Sequence, residues 1–317
     1  MFQRRSPRIL PAIIFLLGLV LGMAPLRAQT PASQAGKVQR FFWKITSPTT
    51  EVYFLGSIHV ATDDMYPLPA EIEAAYKGSK TLVVEADVTK ANQLALAMQV
   101  MQQGMYAQGD ALDKHISADS MKALRAYCQT AGMPAEMITT MKPVMAAMTV
   151  EALFMEKEGL VTDKGIDLHF LTQANDAKDK TIAELESADF QIKLLFSIDD
   201  KLAEKWLNEM LKDSSKDELD KMIKAWKEGD DKTLVEQMTQ DEKTDPDAAK
   251  MNDLLIYQRN GGMAGKIDEL LKGKEKAFVV VGAAHLMGEK GVLKQLEAKG
   301  YKVERPALTA PVGTATK

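Results

Sequence analysis

Past a polar stretch over residues 29–40, apolar positions gather first into short runs rather than helical stripes. Phe42-Trp43-Lys44-Ile45 and Val52-Tyr53-Phe54-Leu55 flank Ser47-Pro48, the layout of two strands joined by a turn. Pro67 to Tyr76 has helical spacing behind a proline-rich start. Thr81-Leu82-Val83-Val84 is a continuous run, as in a strand covered on both faces. From about Lys90 to Gly159 the spacing predicts several helices, broken near Gly109, Gly132-Met133-Pro134 and Pro143. Gly165-Ile166-Asp167 opens a further short unit, and Lys180-Thr181-Ile182-Ala183 carries a faint strand signal. Between Asp189 and about Asn260, Leu194, Leu195, Ile198, Leu202, Trp206, Leu207 and Met210 recur at three- and four-residue spacing, a helical stripe. The charges from Lys212 to Lys250 read as the solvated face of such helices. Ala277-Phe278-Val279-Val280-Val281 is the clearest buried strand. Gly288 to Lys299 then reads as a helix stopped by Gly300, and Tyr301-Lys302-Val303 as a last strand.

Strands alternating with helices at both ends imply an α/β fold. Its mixed, mostly parallel central sheet is built from the N- and C-terminal parts and flanked by helices, with a large helical insertion over about 90–260. The domain expected is 41–306, with a flexible linker at 29–40 and a loose tail at 307–317.

The first 28 residues stand apart. Arg4, Arg5 and Arg8 precede an apolar run from Ile9 to Leu26, and Arg27-Ala28-Gln29 follows. That is the order of a secretory signal peptide, with cleavage expected after Ala28 and a periplasmic or secreted product. An uncleaved anchor is the competing reading, disfavoured by Pro11 and Pro25. No later segment is apolar enough to span a membrane. Over all 317 residues the net charge is −4, with 46% hydrophobic and 26% charged residues, a packed globular composition. Losing the leader removes four arginines and no acid, so the exported chain is more acidic still. A nucleic-acid partner is therefore not expected. Cys128 is the single cysteine, which rules out an internal disulfide or a cysteine zinc site.

Chemistry is concentrated after three of the apolar runs. Leu55 is followed by Gly56-Ser57-Ile58-His59, Val84 by Glu85, and Val281 by Gly282-Ala283-Ala284-His285. A Gly-x-x-His unit thus follows a strand near each end of the chain. In α/β sheets, ligands collect beyond the carboxyl ends of the strands. If these three strands are parallel neighbours, His59, Glu85 and His285 converge. Two imidazoles and a carboxylate suit Zn, Mn, Fe or Co. The bland alternative is a capped or core histidine at each strand end. His115 and His169 read as structural or surface residues, and the methionines between Met98 and Met148 as adaptable core filling rather than haem ligands.

These residues also carry a resemblance. Phe42-Trp43-Lys44-Ile45-Thr46-Ser47-Pro48, Val52 through Val60, Tyr66-Pro67-Leu68-Pro69 and Leu82-Val83-Val84-Glu85-Ala86-Asp87 together resemble the opening of the TraB/GumN family. The likeness continues through Gly165-Ile166-Asp167, Leu185-Glu186 with Gln191, Arg259-Asn260, and Val281-Gly282-Ala283-Ala284-His285, so it covers about Phe41 to Pro306. Members include the Tiki proteins, which look like metal-dependent proteases using Mn or Co. The wider group takes in erythromycin esterases and haem-binding ChaN-like lipoproteins. TraB/PrgY-type members are associated with shutting down peptide pheromones, and GumN is named for a polysaccharide-synthesis cluster.

The resemblance implies a metal site of His59, His285 and Glu85, with Glu85 a third ligand or a general base. It also implies catalytic roles for Arg259, holding a substrate carboxylate or an oxyanion, and for Asn260, donating to the same oxygen. Asp167 and Glu186 stand second, with helix capping as their plain role. Asp63, Asp64 and Asp87 could supply outer hydrogen bonds but read more simply as exposed loop acids. The activity implied is an exported metal-dependent hydrolase, peptidase-like, acting on a peptide, protein or small molecule. The alternatives are a haem-, iron- or ligand-binding protein of the same fold, and an accessory factor in envelope polysaccharide assembly. No His-Glu-x-x-His or Gly-x-Ser-x-Gly signature is present. The oligomeric state is not legible in the chain.

Overall fold

The computed structural model describes residues 37–38, 40–89, 93–212 and 215–309. The expected leader and most of the expected linker lie outside them. Eight strands occur among the described residues: β1 Lys37–Val38, β2 Phe42–Thr46, β3 Glu51–Ser57, β4 Thr81–Val84, β5 Thr181–Glu184, β6 Ala277–Gly282, β7 Val303–Glu304 and β8 Leu308–Thr309. Six form one sheet in the order β5-β4-β6-β3-β2-β7. β5, β4, β6 and β3 run parallel to one another, while β2 is antiparallel to both β3 and β7. This is the mixed, mostly parallel α/β sheet that the alternation of runs predicts.

The central position of β6 decides which parts of the chain lie side by side. All six of its residues are buried, which is why its sequence is apolar without alternation. It lies between β3 on one side, with Gly56 opposite Val281, and β4 on the other, with Val84 opposite Val280. The chain's two ends are thereby joined side by side. On one face, Phe278 holds the rings of Tyr76 and Phe170 at centroid distances of 5.7 and 4.9 Å, which seats the helices Ala70–Gly78 and Ile166–Ala177. The helices Gln258–Lys272 and Val292–Ala298 pack on one another and complete the layer near β3 and β7.

The insertion is mostly helical, as its spacing predicts. The helices Pro143–Lys157 and Asp200–Met210 pack closely, burying Ala146, Ala147 and Val150 with Leu202, Ala203, Trp206 and Leu207. It is not purely helical, because β5 returns from within it to pair with β4. Most of the expected tail, like the linker, lies outside the described residues, but the parts that are described pair with each other. Lys37–Val38 pairs with Leu308–Thr309 as a small antiparallel sheet, and Thr309 donates through both N and Oγ1 to Glu71 Oε1. Leu308 is 2% exposed, so burying that one side chain anchors a segment whose composition reads as loose.

Candidate functional site

β3, β6 and β4 point the same way and end at the same edge, so the residues that follow them meet there. Ser57 closes β3 and His59 stands two positions on. Glu85 follows β4, and His285 lies in the turn of helix Ala283–Leu286 directly after β6. His285 Nε2 comes within 3.8 Å of Glu85 Oε1, and His59 lies near enough for its charge to act on both.

Two close approaches hold this edge together. A Cβ on Gly56 would sit 2.9 Å from Phe41 Cβ and 3.0 Å from Ala283 Cβ, so only glycine lets β3 lie against the turn carrying His285. A Cβ on Gly165 would sit 2.3 Å from the His59 carbonyl oxygen. The missing side chain lets Ile166 N donate to Ile58 O at 3.1 Å, and the next residue, Asp167, reaches the site.

Each histidine is oriented through Nδ1. His59 Nδ1 is 2.7 Å from Asp167 Oδ2, and Ser57 Oγ donates to Asp167 Oδ1 at 2.6 Å. His285 Nδ1 is 2.6 Å from Asn260 Oδ1, while Asn260 Nδ2 donates to the Lys290 carbonyl at 2.8 Å. The Lys290 carbonyl can only accept. It therefore sets the Asn260 amide, makes His285 Nδ1 the donor and leaves Nε2 with its lone pair. Nε2 lies 3.8 Å from Glu85 Oε1. Burial and the nearby Arg259 guanidinium pull the His285 pKa down to about 3, so the ring is neutral at physiological pH. Burial also lowers that of His59, but the charge and hydrogen bond of Asp167 outweigh it and the net shift is upward.

Glu85 is 6% exposed and fully partnered. Oε1 accepts from Gly282 N at 2.8 Å, and Oε2 accepts from Arg259 Nη2 at 2.7 Å and Gln191 Nε2 at 3.0 Å. Burial alone would raise its pKa. The imidazoles, the guanidinium and the Gly282 N–H overcome that and hold it at about 2. A carboxylate so acidic is a weak proton acceptor near neutrality, which argues for a fixed negative charge rather than a general base.

Arg259 bridges Glu85 to Glu186, giving Nε at 3.0 Å and Nη2 at 2.5 Å to the latter, and Nη1 donates to the Leu255 carbonyl at 2.7 Å. Every guanidinium nitrogen thus has a protein acceptor. Arg259 holds Glu85 in place instead of standing open to a substrate carboxylate or oxyanion, and Asn260 likewise spends its amide on His285 and Lys290. The π-helical turn Asp253–Tyr257, which contains Leu255, lies just ahead of this pair, and both Arg259 and Asn260 are buried (4% and 0% exposed).

Asp167 and Glu186, expected as outer residues, are both in contact with the central group. Ser57 and Gln191 have roles that the pattern of runs did not assign. Ser57 shares strand parity with His59, the one signal that placed both on one face. Elsewhere, His115 stacks on Tyr106 between Asp110 and Asp200, and His169 packs on Tyr66, so both are structural. Asp63 and Asp64 pair with Lys164 and Lys227 in exposed positions, whereas Asp87 is buried at 2% exposure.

His59, Glu85, Asp167 and Gln191 line a cleft of about 540 Å3, mouth included, together with Val84, Ala86, Val88, Thr162, Leu168 and Leu171. His285 meets Glu85 from beneath this lining. Among the described residues no group of three or more His, Cys, Asp or Glu side chains is gathered as a metal site, and no helix is long and apolar enough to cross a membrane.

No solved structure matches the chain. An uncharacterized protein of Escherichia coli strain K12, YbaP, is similar at 29% identity, covering 77% of this chain and 86% of its own length, and the YbaP of Shigella flexneri is similar to the same degree. A sequence profile of the TraB/PrgY/gumN family matches residues 41–305.

Proposed function

The chain belongs to the TraB/PrgY/gumN family, and on that premise we propose that it is an exported hydrolase whose centre is formed by His59, Glu85 and His285 and which uses a divalent metal ion. One observation carries the reading: both imidazoles are pinned through Nδ1, by Asp167 and by Asn260, so each leaves Nε2 as its free nitrogen, that of His285 lying 3.8 Å from the buried anionic Glu85. Metal-binding histidines are held in this way, with the second ring nitrogen given to a carboxylate or an amide.

The reading rests on two ring nitrogens rather than on three protein groups, since no set of three His, Cys, Asp or Glu side chains is gathered as a metal site among the described residues. His59 and His285 would hold it, and Glu85 would supply the balancing charge, with Mn or Co as the ions the family suggests and Zn or Fe as the others such donors accept. Bound there, the ion supplies Lewis acidity toward a carbonyl. The chain's own residues do the rest. Asp167 raises the basicity of His59, which lines the cleft, and so would strengthen its hold on the ion. Arg259 and Gln191 keep Glu85 ionised and still. Val88, Leu168 and Leu171 keep water from the cleft walls.

The test is metal analysis of the chain from Gln29 onward, stripped with chelator and reloaded with Mn, beside a His59→Ala, His285→Ala double variant. Roughly one ion per chain is expected in the first and none in the second. Equal content in both overturns the metal centre. Cleavage of a mixed peptide pool by the loaded protein alone supports hydrolysis, whereas a Soret band on adding haem with no cleavage favours a binding protein.

A further inference from the structure

The orientation of His285 is governed by a turn outside the cleft. The chain leaves His285 through Leu286 and Met287 and doubles back where Gly291 N donates to Gly288 O at 3.0 Å. Gly288 has a φ of +75°, and a Cβ on Gly291 would lie 2.3 Å from the Met287 carbonyl oxygen and 2.6 Å from that of Leu286. Two glycines therefore let the turn close against the residues that follow His285. Between them, Lys290 is exposed, yet both its ends are held by one helical segment. Its Nζ stands 4.1 Å from the centroid of the Tyr257 ring, and its carbonyl accepts from Asn260 Nδ2 at 2.8 Å. Tyr257 and Asn260 are i and i+3, neighbours on one face. Gln295 Nε2, in the helix Val292–Ala298, donates to the same carbonyl at 3.1 Å, so both its lone pairs are engaged.

Resting on the metal-centre reading, we propose that Lys290 is a positioning residue of that centre: its grip on Tyr257 and Asn260 decides which nitrogen of His285 carries the ring proton. The two arrangements differ by one rotation of an amide. Turned over, Asn260 would donate to Nδ1, the ring would carry its proton on Nε2, and the nitrogen facing Glu85 would have no lone pair to give. The Lys290 carbonyl forbids this, because the turned amide sets two carbonyl oxygens against each other and forfeits a buried hydrogen bond. The lysine acts through its main chain. Its ammonium matters because the hold on the Tyr257 ring keeps the carbonyl aimed. Gly291 matters because only a residue without a side chain lets that carbonyl reach back to Asn260. A surface residue thus controls an imidazole that is itself 1% exposed.

The experiment reads the tautomer directly, from the ring-nitrogen resonances of the isotope-labelled chain from Gln29 onward, near neutral pH with chelator present. His285→Ala identifies the signal. The unsubstituted protein is expected to hold the proton on Nδ1. Gly291→Ala, whose methyl drives the turn away from Met287, is expected to shift the ratio about tenfold toward Nε2. Adding Asn260→Asp should return the proton to Nδ1, because a carboxylate accepts whichever way it turns. A merely structural fault would persist in that double variant. Should Gly291→Ala fail to fold, Lys290→Ala decides. At that exposed position the unfolding midpoint should not move, the His285 Nδ1 proton should exchange with water about threefold faster, and Lys290→Arg should restore the original rate. A ring protonated on Nε2 in the unsubstituted protein, an unshifted ratio in folded Gly291→Ala, no return in the double variant, or an unaltered exchange rate in Lys290→Ala overturns the proposal. Because no metal is present, failure of the metal centre leaves these readings untouched. A protein that loads Mn but shows none of them keeps the hydrolase reading and loses this one.

Discussion

Gln191 places one amide nitrogen between two carboxylates, and with Arg259 it holds Glu85 and Glu186 in a group where the acids outnumber the cation. Arg259→Ala would leave Glu85 buried without its cation, so a loss of about 3–5 kcal/mol is expected in urea unfolding. Arg259→Lys should recover little of it, because an ammonium cannot span Glu85, Glu186 and the Leu255 carbonyl together. Asn260→Ala removes the acceptor of His285 Nδ1, and the expected result is metal affinity lower by about 10–100-fold in a chelator competition. Glu151 poses a different problem. It is fully buried, among the described residues its carboxylate receives one hydrogen bond, from Trp206 Nε1 at 2.9 Å, and burial lifts its pKa from 4.5 to about 8 despite that bond. Between those values the folded protein keeps a proton that the unfolded chain has shed. The stability it contributes is therefore whole below pH 4.5 and declines as pH rises toward 8, by about 1.4 kcal/mol per unit at most. Thermal melts of Glu151→Gln should show a flatter decline across that window and a higher midpoint at pH 8. His59, Glu85 and His285 could be singled out because Glu85 directly follows an apolar run and each histidine closes a Gly-x-x-His unit after one. Arg259 and Gln191 were not readable as partners, because their acceptors lie on other elements and no local spacing records them.

Elements were legible to the extent that burial shaped their composition. β4 and β6 are covered on both faces, and their continuous apolar runs mark them almost to the residue. β5, with no residue fully buried, left only a faint trace, because an edge strand need not be apolar. The pairing of β1 with β8 was invisible, since two-residue strands have no period to detect. The helix Ile166–Ala177 shows how a small sequence feature controls an element. Gly165 lets it approach His59, so Gly165→Ala should push helix and strand end apart. A destabilisation of about 1–3 kcal/mol is expected in urea titration, with weaker metal retention as Asp167 leaves His59.

At the scale of the molecule, the fold is a sheet whose middle strand comes from near the end of the chain. The small β1–β8 sheet fastens the outer segments, and Leu308 is its anchor. Leu308→Ala is expected to cost near the low end of about 2–5 kcal/mol in thermal or urea unfolding and to leave metal content unchanged, since no residue of the centre touches it. Glu85 receives the N–H of Gly282 across 197 positions of sequence, and that single span has a developmental meaning. A ribosome displays β3, His59, β4 and Glu85 early, yet the slot between those strands stays empty until β6 has been made. A shortened product ending before Ala277 lacks both the partner strand and His285, so on the proposed reading nascent chains and broken fragments would be inert, and competence would arrive only with the final portion of synthesis.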